Sequence, residues 1–445
     1  MKNFDIVTIS VMTVALLGLT TYAADITVDE TCSLAEAITA ANMDETVGGC
    51  IAGDGADVIV LTADVTLDAA LPLAQSEITI EGGANTIDGD NRYHIYGIVA
   101  GAALTLNDLF ITRAKSGWGG AIGNLGGVLN VTNCDFSDNS AGDGGAIGNE
   151  GRLTIRNSSF RYNSSQNGGG AIFNRGGVVH VINSNFEWNS AEGSGGAILN
   201  HDGWLLIEDK SQFKSNMSEY HGGALFNEDG TINISDSVFL RNRASDRSGG
   251  AIYSNIARDE TDDLIAIENS AFLNNEAEEN GGAIFNRRGV LLITNSAFDG
   301  NSAGDDGGGL FEASVDATAI LHSTFHGNQA DNGGGIYKEY NAQLSLSHTI
   351  IANSISGGDC FGRLDSNMLN LVEDGSCYAE LSGDPLLGEL VMPDDGSPAY
   401  YPLLPGSPAI DAASSDYCPD ADQIGTARPQ GEACDIGAVE YVHRE

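Results

Sequence analysis

The chain has 445 residues, of which 42% are apolar, 58 are glycine and only 9 are proline; that is too apolar for a disordered low-complexity polymer. Its 62 Asp and Glu outnumber 20 Lys and Arg, giving a net charge of -42. That balance argues against nucleic acid, whose binding needs basic patches, and suits a secreted protein held in solution by its own charge.

At the N-terminus, Lys2 precedes an apolar run from Ile6 to Leu19, then Thr20, Thr21, Tyr22, Ala23 and Ala24. Residues 1–23 resemble a secretory signal peptide cleaved after Ala23. Ser and Thr interrupt the run, which is short for a membrane-spanning helix, and no later segment is apolar enough to span as one. Residues 24–56 then read as an N-terminal cap. Ser33 and Glu36 have capping-box spacing, and Leu34, Ala37, Ile38 and Ala41 share one helical face. A short amphipathic helix is expected here, covering the open end of a solenoid. The stretch from Cys32 to Asn42 resembles the CSLREA segment of bacterial secreted β-helix proteins, with Ala35 where that segment has Arg.

Residues 57–355 read as stacked repeats. Degenerate early strands are expected at Val58–Leu61, Val65–Leu67, Ile78–Ile80, Ile87, Ile95–Val99 and Leu104–Leu106, with Phe110 opening a phenylalanine beat. From Gly119 the tetrapeptide Gly-Gly-Ala-Ile and its variants recur nine times, at Gly119, Gly144, Gly169, Gly195, Gly222, Gly249, Gly281, Gly308 and Gly334. Phe-x-x-Asn alternates with it, from Phe136/Asn139 to Phe325/Asn328. A period of about 26 residues marks a repeat array. Each repeat holds three short apolar runs and none long enough for a helix; in one they are Ala171–Phe173, Val178–Ile182 and Phe186–Trp188. The fold class expected is all-β: a parallel β-helix of three short strands per coil, right-handed as parallel crossovers are. The double motif resembles the repeats of polymorphic outer-membrane proteins, and that resemblance implies a bacterial surface protein.

The repeats form an internal alignment. Position four of the tetrapeptide, Ile122 through Phe311 and Tyr337, is never charged and is expected to point inward. The next position, which includes Phe173, Leu199, Phe226, Tyr253 and Phe285, then points outward by strand alternation, and Glu312 and Lys338 in it support that. The five apolar residues would form an outward stripe, a candidate surface for glycans or other cell-surface components. Tyr162 and Trp188 fall on adjacent coils as a candidate sugar platform. The Asn of Phe-x-x-Asn, and a second set at Asn124, Asn149, Asn174, Asn200, Asn227 and Asn286, are expected to stack as structural ladders. The longest interval holds an insertion whose Asp259, Glu260, Asp262 and Asp263 offer hard oxygen ligands, a candidate Ca²⁺ site without a recognised loop pattern. No cofactor is otherwise required.

Residues 356–445 read as a loop-rich C-terminal cap. Gly406-Ser-Pro-Ala-Ile-Asp-Ala412, Asp422-Gln-Ile-Gly425, Arg428-Pro429 and Cys434-Asp-Ile-Gly-Ala-Val-Glu440 resemble the choice-of-anchor Q domain that ends many secreted β-helix proteins; Ile424 departs from its pattern. Cys32/Cys50, Cys360/Cys377 and Cys418/Cys434 are near neighbours in sequence and fit three disulfides in an oxidising compartment. Cys134 is left over, in a position where other coils carry Ser.

Two functions fit these features. The first is a secreted or surface-associated, non-catalytic rod for adhesion or glycan binding, because the repeats run on without the break an active site would impose. The second is a polysaccharide lyase or glycoside hydrolase. Asp202, Glu228 and Asp229, near Arg175 and Arg287, are its candidate residues, while His201 and His221 in the same section are expected as solvent-exposed turn residues.

Overall fold

The structure is a computed structural model that describes residues 24–256, 264–414 and 417–442. The expected signal peptide and the four carboxylates of the insertion lie outside them. The chain winds as a parallel β-solenoid whose strands form three sheets of 25, 11 and 8 strands. One coil shows the pattern. Its first strand is Ile172–Arg175, its second Val178–Ile182, its third Asn185–Glu187, and a two-residue fourth, Ser190–Ala191, closes it. The three strands expected are present; the fourth is too short to leave an apolar run in the sequence. Each pairs in parallel with its equivalent in the next coil: Ile172 with Ile198, Val179 with Leu205, Phe186 with Phe213 and Ser190 with Met217. First strands build the 11-stranded sheet and fourth strands the 8-stranded one. Second and third strands merge into one sheet because Glu77–Asp88 and Ala103–Thr112 run through both positions.

The Gly-Gly pair turns the chain between fourth and first strands. Gly169 has φ 63°, which favours glycine. A Cβ on Gly170 would lie 2.1 Å from the carbonyl oxygen of Gly196 in the next coil. The Ala and Ile after the pair are fully buried, as Ala171 and Ile172 show. Opposite them the rings of Phe136, Phe160, Phe186 and their successors to Phe325 stack face to face, with centroids 4.3 to 4.8 Å apart. Each such contact adds about 0.5–1.5 kcal/mol beyond area burial. Beside the rings, Asn163 Nδ2 donates to Asn189 Oδ1 at 3.0 Å and to the Phe136 carbonyl at 2.9 Å, and the same pair of bonds recurs to Asn328. The second ladder links Asn124 to Asn149, Asn174, Asn200 and Asn227 at 2.7 to 2.8 Å. Cys134 takes the ladder position of Ser158. Its amide donates to Ser158 Oγ at 3.1 Å, and burial pushes its thiol up to about 12.

Two alignments need correction. Phe110 is exposed: Ile111 fills the phenylalanine column and Ala114 the asparagine position, where its amide donates to Asn139 Oδ1. In the last two full repeats a third glycine shifts the motif by one residue. Ile284 pairs with Leu310, and Leu310 with Ile336. Phe311 and Tyr337 therefore belong to the outward column. Glu312 and Lys338 occupy the inward column of the second asparagine ladder and are buried. Charge did not keep them outside, because polar partners meet them there.

Both ends are closed. The helix spans Leu34–Met43, with reciprocal Ser33–Glu36 capping bonds; Leu34, Ala37, Ile38 and Ala41 join the main core. Cys32–Cys50, Cys360–Cys377 and Cys418–Cys434 are disulfide-bonded. Residues 356–383 finish the last coil. From residue 384 the chain turns back along the flank of the solenoid. Ala399 packs with Val238, Ala271 and Leu273, and Lys210 Nζ meets Asp395 at 2.7 Å. A buried clasp fastens the segment. The Arg428 guanidinium donates to Glu440 at 3.0 Å and to the Asp435 and Gly437 carbonyls, beside His322.

Candidate functional site

The outward column of the first sheet is the most distinctive open surface. Phe173, Leu199, Phe226, Tyr253 and Phe285 lie in register, and Phe311, Tyr337 and Phe361 extend the stripe by three coils. From Phe226 to Phe361 the rings stack at 4.8 to 5.4 Å. Tyr253 and Phe311 are buried within the stripe, Phe173, Leu199, Phe226, Phe285 and Tyr337 are half-buried, and Phe361 is exposed. Stacked rings occupy one another's faces, so this ladder presents edges to solvent rather than flat platforms. His221 lies against it, 4.1 Å from the Tyr253 ring; burial and the nearby Arg247 hold its imidazole down to about 4. Burial raises the pKa of the Tyr253 hydroxyl, and the charge of Arg287 nearby opposes that rise.

A flat platform exists one step earlier. In the same column Gly123 and Gly148 replace the aromatics. Trp118, from the strand Lys115–Trp118, lays its indole across both. A Cβ at Gly148 would sit 2.5 Å from Trp118 Cε2, and one at Gly123 3.2 Å from Cζ3. The Arg175 guanidinium stands 5.8 Å from the indole centroid, held there by Glu150 through an Nε–Oε1 contact of 2.7 Å. Sequence reasoning picked out Arg175 but missed Trp118, which arrives from a different strand. The signal was the pair of glycines in an otherwise bulky column.

The turn after the first strand carries the polar edge of this face. Arg175, His201 and Glu228 succeed one another in register. His201 Nδ1 lies 3.1 Å from Glu228 Oε2, and Nε2 lies 3.5 Å from Asp202 Oδ2. Arg288 takes the position beyond Asn255, and the bulge there displaces Arg287 toward Tyr253. Tyr162 and Trp188 are placed elsewhere. Both occupy left-handed turns between third and fourth strands, and both are more than half exposed. Among the described residues no set of three or more His, Cys, Asp or Glu is placed to hold a metal ion. Two strongly displaced ionisations lie away from the open face: Glu312 in the core, pushed up to about 8, and His322 under the clasp, pushed down to about 3.

Fold and surface together define a parallel β-solenoid with one aromatic-lined face. Three stretches, residues 133–150, 157–175 and 269–287, match the Chlamydia polymorphic membrane protein (Chlamydia_PMP) repeat. Among solved structures the chain is similar to pectate lyase Pel9A, at 14% identity and TM-score 0.39, covering 92% of this chain and 91% of that one. It is also similar to the PL6-family alginate lyase AlyGC, at 13% identity and TM-score 0.37, covering 86% of this chain and 57% of that one. Likeness at that level carries no chemistry across. No curated protein matches the chain.

Proposed function

We propose that the chain is a secreted or cell-surface rod that binds glycans or other cell-surface components along the outer face of its first sheet and does not turn them over. The observation that carries this is the Trp118 indole lying on Gly123 and Gly148, with the Arg175 guanidinium over its ring. An indole face suits the C–H face of a sugar ring, and a guanidinium supplies donors to its oxygens. The repeat match and three disulfides support a place outside the cytosol. In this reading the CSLREA-like segment is the N-terminal plug and the choice-of-anchor-Q-like segment the C-terminal clasp.

His201 between Glu228 and Asp202 favours a second reading, a polysaccharide lyase or hydrolase. It ranks below because the polar groups pair with one another along the edge: Arg175 with Glu150, and His201 with Glu228. Binding and turnover assays on acidic and neutral polysaccharides, each with and without Ca²⁺, separate the two. Saturable binding with no chain shortening and no unsaturated product supports the rod. Turnover abolished by His201→Ala or Glu228→Gln establishes the enzyme.

A further inference from the structure

Between the returning C-terminal segment and the turn after the second strands lies an open cavity of about 1120 Å³. Asp209, Asp236 and Glu268 line the solenoid wall, and Asp394 and Asp420 the opposite one. Lys210, the sole Lys or Arg among its lining residues, is paired with Asp395. Burial raises the pKa of both Asp236 and Glu268, and Asp209 raises that of Asp236 further.

Three amides in the lining add unpaired acceptors. Asn295 Nδ2 donates to the Ala421 carbonyl at 2.9 Å, and Gln423 Nε2 to the Ala399 carbonyl at 2.9 Å. Those donor bonds fix which way the Asn295 and Gln423 amides point. The oxygens Asn295 Oδ1, Gln423 Oε1 and Asn269 Oδ1 are buried with no donor among the described residues. Asn295 and Gln423 are only 2% and 5% exposed. A buried acceptor left unpaired is destabilising. The cavity is therefore rich in acceptors and negative charge and short of donors.

We propose that this cavity binds a small organic polycation of the alkyl polyamine class, bridging the solenoid and the returning segment. Ammonium groups are donors only and carry the charge that the carboxylates need. A flexible chain of them can span both walls, whereas a single metal ion needs its ligands converged on one point. The site is separate from the first-sheet face.

Calorimetric titration of the full chain with spermidine tests this, with CaCl₂ and NaCl of matched ionic strength as comparators. Saturable spermidine binding is expected, weakened at least tenfold in Asp236→Asn/Glu268→Gln and unchanged in Glu192→Gln on another face. Removing two repelling carboxylates should leave the thermal midpoint of the free variant at or above that of the parent, which shows that the variant is folded. Absence of saturable heat, heat that NaCl reproduces, or affinity unaltered in the double variant would each overturn the proposal. So would Ca²⁺ binding tighter than spermidine with the same sensitivity to the variant.

Discussion

Glu312 and Lys338 sit where earlier coils place Asn or Ser, so the asparagine ladder ends in a buried charged pair of positions. Glu312 accepts from Asn286, Thr318 Oγ1 at 2.8 Å and the Ser314 amide at 2.7 Å; Lys338 reaches Asp365 at 3.4 Å. Burial still dominates and raises the Glu312 pKa to about 8, above its ordinary 4.5. The folded state therefore holds a proton that the unfolded chain has released between those values. Stability from this group is complete below pH 4.5 and falls as pH rises through 8. Glu312→Gln is expected to flatten that dependence: denaturation midpoints of parent and variant should diverge between pH 6 and 9, with the variant higher at pH 9. Parallel curves would place the ionisation elsewhere. The sequence misplaced this residue because a third glycine shifts the motif, and the assumption that charge stays outside favoured the wrong register.

At the scale of elements, ladders and clasp respond differently to disruption. The Asn216 side chain makes four ladder bonds, donating to Asn242 and Phe186 and accepting from the Asn189 amide and side chain. Asn216→Ala leaves buried groups unpaired above and below, and should cost about 3 kcal/mol, read by chemical denaturation. Arg428→Met leaves Glu440 buried without its counter-charge, held only by the Gln430 and Asp435 amides, a loss of about 3–5 kcal/mol from docking of the returning segment. Limited proteolysis should then cut between residues 384 and 414 while the β signal of the solenoid in circular dichroism persists; simultaneous loss of both would make the clasp part of the core. Coil columns were legible because stacking makes every repeat a copy of its neighbour. The clasp's docking was not, since nothing in it is periodic. Its one trace is the outward column that changes from Arg161, Glu187 and Lys214 to Leu240 and Leu273, apolar because Ala399 and Leu390 cover them.

On the whole-molecule scale, a highly acidic rod carries an aromatic stripe on one face and folds its own C-terminal segment over another. The stripe from Phe173 to Phe285 was readable in the sequence, though its stacked rings offer edges. The platform at Trp118 was not, because two strands and two glycines must meet to build it. Intrinsic fluorescence isolates it most directly. In a Trp188→Phe/Trp204→Phe background Trp118 is the sole indole, and it can be titrated with a panel of acidic and neutral oligosaccharides. At least one should give a saturable emission shift without being shortened, and Gly148→Ala, which drives a Cβ into the indole, should weaken it at least tenfold. Oligosaccharides that bind the chain yet leave Trp118 emission unchanged would contradict the assignment of this face.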